Sequence, residues 1–165
     1  MTPLAADLLV LFRRDLRCFI REVEAFPDDA TLWRTVPGLR NSVGNLALHV
    51  AGNLRLLVGA ALGGTGFQRD REQELNQRTG TRTEVAATLE AAAHEVERGL
   101  NAVTEKSLAT PFPLAVGGLQ PSTQRFLVHL AAHLAFHLGQ AGYLRRTLTG
   151  EATVAGAMAI KELLP

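Results

Sequence analysis

Between residues 126 and 144 there is no aspartate, glutamate, lysine or arginine, yet the run carries His129, His133, His137 and Gln140. So apolar a stretch must be hidden from water, and it is close to the ~20 residues that a membrane-spanning helix needs. Hydrocarbon would leave the imidazoles and the amide without partners, at a cost. The central helix of a water-soluble bundle accounts for both the apolar run and its polar inserts, so no membrane span is expected.

Three further segments share the same spacing of three and four. The first opens at Thr2-Pro3, a cap followed by proline at the first helical position, and reaches about Phe26 on the stripe Leu9, Phe12, Leu16, Phe19, Val23 and Phe26. The second begins near Asn41-Ser42, carries Val43, Leu46, Val50, Leu54, Leu57 and Ala61, and ends at Gly63-Gly64. The third starts with the capping box Thr81-Arg82-Thr83-Glu84 and carries Val85, Leu89, Ala92, Val96, Leu100 and Val103. The apolar run itself belongs to a fourth, opening after Pro121-Ser122 and closing at Thr149-Gly150. Arg145 and Arg146 lie near its end, where cations are favoured. No alternation of period two is convincing. The expectation is one all-α domain over residues 1–165, a four-helix bundle, with a short C-terminal helix around Met158 to Leu164. Residues 63–80 can span roughly 50 Å when extended, against about 30 Å for a helix of twenty residues. Helices 2 and 3 can therefore run parallel through a crossover.

Charge excludes one class of partner. Seventeen Lys and Arg stand against sixteen Asp and Glu, intermingled, for a net charge of +1. With no basic stripe to neutralise phosphates, nucleic-acid binding is not expected. The single cysteine, Cys18, rules out an intrachain disulfide, and Met1-Thr2-Pro3-Leu4 offers no secretory leader, so a cytoplasmic location is expected. Cys18 lies off the stripe of the first helix. It is expected to face the outside of the bundle or a subunit contact, and to have no catalytic role.

The histidines carry the chemistry. Imidazole is a common metal ligand near neutral pH, and a spacing of four puts two rings on one helix face. His129 and His137 lie roughly 12 Å apart along the axis, too far to share an ion about 2 Å from each. At 100° per residue the stripe of the fourth helix centres on Leu130, Leu134, Ala141 and Leu148. His137 falls within it, His133 at its edge and His129 well to the side, which favours His133 with His137. His49, on the flank of the second helix, can supply a third nitrogen, with Asn45 and Asn53 one turn to either side as candidate supports for its ring. The alternative is a set of boundary histidines satisfied by hydrogen bonds, with Asn45 and Asn53 as caps or boundary polarity. His94 is expected on the surface, and His129 at a boundary or interface.

These residues resemble the DinB/YfiT-like family of metalloenzymes. The likeness covers most of the chain. It rests on residues 41–55 around His49, on the charged segment Arg69-Asp70-Arg71-Glu72-Gln73-Glu74, and on His133-Leu134-Ala135-Phe136-His137-Leu138-Gly139-Gln140 followed by Tyr143-Leu144-Arg145-Arg146. It implies a bundle running up-down-down-up, with a divalent transition metal, zinc or nickel, held by His49, His133 and His137. Some members of the family resemble thiol S-transferases and others look like hydrolases.

Three imidazoles leave a divalent ion an open position, the pattern of a catalytic rather than a structural site. Such an ion activates a water or a thiol. No Asp or Glu flanks either histidine motif to serve as a general base, and catalytic residues are not identified; Asp70, Glu72 or Glu74 can reach the site only if their segment folds over its mouth. The expectation is a metal-dependent enzyme acting on a small molecule or a low-molecular-weight thiol, and the alternative is a non-catalytic bundle fastened by its metal. A second weakly apolar strip on the fourth helix, Ala132, Phe136, Gly139 and Tyr143, predicts a homodimer. The competing occupant of that strip is the C-terminal tail, with Val154, Met158 and Ile160.

Overall fold

Each of the seven α-helices among the described residues begins on a serine, threonine or aspartate whose side chain accepts a backbone N–H of the first turn. The computed structural model describes residues 1–156 and 158–163. In chain order the helices are α1 (Pro3–Glu24), α2 (Asp29–Leu32), α3 (Val43–Leu54), α4 (Arg71–Asn76), α5 (Arg82–Asn101), α6 (Glu105–Ala109) and α7 (Thr123–Thr149). A π-helical turn, Arg55–Ala60, continues α3, and a 3-10 turn, Ile160–Leu163, lies in the tail. Among the described residues there is no strand, only two isolated bridges in the loop between α6 and α7.

The long helices α1, α3, α5 and α7 form the bundle. Helix α1 packs on α5 and α7, and α3 with its π turn packs on the same two. The apolar stripes meet inside, where Phe12, Phe19, Leu54, Leu89, Leu100, Leu127 and Leu134 are fully buried. Each such side chain contributes about 1.5–3 kcal/mol relative to exposure.

Helices α3 and α5 lie start to start. Trp33, after α2, packs its ring where Gly44 has no side chain and donates from Nε1 to Gly80 O at 2.7 Å, just before α5. Asn45, in the first turn of α3, donates to Glu74 O and Gln77 O of the crossover, both at 2.9 Å. At the far end Gly99 of α5 is bare because a Cβ there would lie 2.2 Å from Val58 O of the π turn. The crossover is therefore pinned at its return to α5, and α4 is held against α3.

Capped ends were legible. The fourth helix closes at Gly150, whose φ of 74° is a left-handed terminus that glycine accepts without strain. The one-turn helices α2, α4 and α6 lie in what reads as loop, because so short an element shows no period. In the tail the described residues hold a 3-10 turn at Ile160–Leu163 rather than a helix from Met158, and Leu164 falls outside them.

The position of Cys18 corrects the expectation. It is fully buried, not on the outside of the bundle. The tail covers the back of α1: a Cβ on Gly156 would lie 2.5 Å from Cys18 O, and Arg21 Nη2 reaches both Cys18 Sγ, at 3.0 Å, and Glu162 Oε1, at 3.4 Å. A helix period records only the face turned to the other long helices, so a segment folding back on the far side leaves no trace in it. Burial pushes the thiol up, with Arg21 opposing. Alkylation of Cys18 by iodoacetamide at neutral pH should therefore be slow in the native protein and complete on denaturation. Rapid native labelling would show that the tail does not cover α1.

Candidate metal centre

Two helices bring the histidines together. The i,i+4 spacing places His133 and His137 on the side of α7 that faces α3, with ring centroids 4.5 Å apart. The ring of His49 on α3 lies 5.4 Å from that of His133 and 5.2 Å from that of His137. One donor atom of each residue lies within 4.8 Å of the others, and all three side chains are partly open to solvent. His129 is exposed, 6.0 Å from the His133 ring and stacked on Phe126, and His94 is exposed on α5. Neither joins the cluster.

The donor set fits a metal. His137 and His133 point Nε2 at each other, 3.1 Å apart. Two nitrogens on one tetrahedral ion at 2.0–2.1 Å stand about 3.4 Å apart, so a small adjustment suffices. Gln140 Oε1, 2.7 Å from His137 Nδ1, accepts the proton there and leaves Nε2 a lone pair. Burial pushes His133 down to about 4, with the neighbouring His137 and His49 adding to it. Burial lowers His137 too, partly opposed by Gln140. Both rings are thus neutral at pH 7, as ligation requires.

Around His49 the surroundings are charged. Arg69 lies just before α4 and holds Glu74 in a two-pronged pair, Nε to Oε1 at 2.8 Å and Nη2 to Oε2 at 2.7 Å. Arg69 Nη2 is also 3.1 Å from His49 Nδ1, and Glu74 Oε2 is 3.6 Å from the same nitrogen. Burial alone would raise the Glu74 carboxyl, but the donors of Arg69 and the nearby His49 outweigh it and hold it below its ordinary value. Of the three carboxylates in this segment, Glu74 alone arrives at the site. Asp70 caps α4 and Glu72 is exposed.

The asparagines follow the alternative reading of caps and boundary polarity, and the part played by Arg69 went unread. Asn45 does not support His49: its side chain closes a capping box with Ser42 and ties down the crossover. Asn53 leaves its Oδ1 buried without a hydrogen-bond partner, so neither asparagine is seen holding a ring. Arg69 was legible only as part of a charged run, since nothing in its spacing links it to a histidine twenty residues earlier. Gln140 was visible in the motif, and its offset of three from His137 is the signal that assigns it.

The family model for the DinB superfamily matches residues 11–141, well over half of the chain and all three histidines. No curated protein matches. None of the helices described is long and apolar enough to cross a membrane.

Proposed function

This chain belongs to the DinB superfamily, and from that premise we propose that it is a metal-dependent enzyme whose divalent ion, zinc or nickel, sits on His49, His133 and His137. The observation that carries this is the convergence of three imidazoles from two helices on one solvent-reachable point. A divalent ion there supplies Lewis acidity and an open position for a water or a thiol. The chain's own residues orient the rings: Gln140 fixes His137, and Arg69 with Glu74 borders His49.

Transfer through a low-molecular-weight thiol fits better than hydrolysis. The carboxylate in contact with the cluster, Glu74, is paired with Arg69 through both oxygens and held below its ordinary value, which makes it a weak base. Metal-loaded protein incubated with a panel of thiols and electrophiles should consume the electrophile in a thiol- and metal-dependent way. Metal-dependent cleavage of esters or amides would point to a hydrolase. Failure of both, with a large loss of stability on chelation, would leave a non-catalytic bundle clamped by its metal, and the activity proposed here would be wrong.

A homodimer through α7 belongs to the same proposal. Phe136 and Tyr143 are 62% and 73% exposed, and Ala132 and Gly139 on the same strip are exposed too. Among the described residues the tail does not cover this strip: Gly156 lies on α1, and Val154 and Ile160 stay exposed. A second helix can approach closely over the small residues. Sedimentation at micromolar concentration should give a dimer, and Phe136→Glu should give a monomer with unchanged metal content. A parent that sediments as a monomer at that concentration removes the idea.

A further inference from the structure

Gly52 lies one turn beyond His49 on α3, and its missing side chain is filled by a carboxylate. A Cβ at this position would fall 1.9 Å from Glu74 Oε1 and 3.4 Å from Arg69 Nε. Helix α3 therefore carries a bare patch beside the ring of His49, and the buried Glu74 occupies it, brought from α4 by the crossover that Asn45 ties down. The patch sets that carboxylate against Nδ1, at 3.6 Å.

The hydrogen bonding of His49 conflicts with ligation as it stands. Guanidinium only donates, so the 3.1 Å contact from Arg69 Nη2 makes Nδ1 the acceptor and puts the ring proton on Nε2. His137 holds the opposite form, with Nδ1–H given to Gln140 and Nε2 free. A neutral ring that ligates through Nε2 must carry its proton on Nδ1, and that proton needs an acceptor, which Arg69 cannot be. The two forms differ in which side of the ring bears the proton.

We propose that Glu74 is the positioning residue of His49: its carboxylate, seated on Gly52 and steered by Arg69, accepts Nδ1–H and so aims Nε2 at the metal. This rests on the metal reading and goes beyond it by assigning the switch from Arg69 to Glu74 as the event that readies the third ligand. A glutamate rather than a neutral acceptor suits the place, because a carboxylate makes Nδ1–H a stronger donor and Nε2 a better ligand.

The test titrates metal-free protein with Zn2+ against a chromophoric chelator and follows the imidazole nitrogens by 15N NMR. In the zinc-loaded parent His49 should carry its proton on Nδ1. Glu74→Gln should weaken zinc binding by roughly 10–100-fold per folded molecule and move the His49 Nδ1–H resonance. Gly52→Ala keeps the glutamate but displaces its carboxylate, and should reproduce the affinity loss if Glu74→Gln folds poorly. Parent affinity in both variants overturns the assignment, as does a loaded parent whose His49 lacks a proton on Nδ1. Weaker binding with an unmoved Nδ1–H signal marks Glu74 as merely structural and overturns it too. A parent that takes up no zinc is a different failure: it overturns the metal reading, and this assignment with it.

Discussion

His137→Ala should leave the protein folded and without its metal. His137 is the ring on which the centre closes: its Nε2 lies 3.1 Å from that of His133, and its Nδ1 is fixed by Gln140 at 2.7 Å. Losing a ligand should exceed the roughly 10–100-fold loss that follows removal of a supporting partner, and two imidazoles on a single helix do not replace a closed set of three. The ring is only partly buried, so the truncation leaves no large void and stability of the metal-free form should change little. Elemental analysis after dialysis, beside a melting curve of the metal-free protein, reads both effects. His94→Ala and His129→Ala are the controls, and both should keep the metal because neither ring reaches the cluster. Retention of metal by His137→Ala would refute the site.

The sequence carried the His133/His137 pair because that argument needed only helical rise and angle, whereas His49 joined it through the family resemblance. Four residues along α7 put His133 beside His137 and eight put His129 out of reach, whatever the rest of the chain does. The four long helices were legible for the same reason, with caps such as Ser122, Gly150 and the Thr81–Glu84 box marking several of their ends. What surrounds His49 was not legible. Glu74 reaches that ring only because Gly52 is bare, Asn45 pins the crossover and α4 turns the segment inward, three contacts between residues remote in the chain. No local period encodes them. The misplacement of Cys18 has the same origin, since a helical wheel ranks faces by their apolar content and cannot see that residues 153–156 return across α1.

That returning segment is held by a buried ion pair, and breaking it should have the largest effect on stability. Arg145 of α7 and Glu22 of α1 are each 2% exposed, with Arg145 Nε 2.5 Å from Glu22 Oε2. Two further polar atoms of the pair are also used: Arg145 Nη2 donates to Thr153 O, and Gly156 N donates to Glu22 Oε1 at 3.0 Å. One charged pair thus joins two bundle helices and the tail. Arg145→Met would leave the buried Glu22 carboxylate without its paired cation, with a cost of about 3–5 kcal/mol. At roughly 2–4 °C per kcal/mol for a chain of this size, the midpoint should fall by about 10 °C. Cys18 should become reactive in the same variant, because Gly156 and Thr153 lose their anchors. Replacing both partners, Glu22→Leu with Arg145→Met, should recover most of the stability, since the penalty comes from an unpaired charge rather than from absence of the pair. Urea denaturation of the three variants decides it. A loss below about 1 kcal/mol for Arg145→Met would mean that water reaches Glu22, and that the clasp is open.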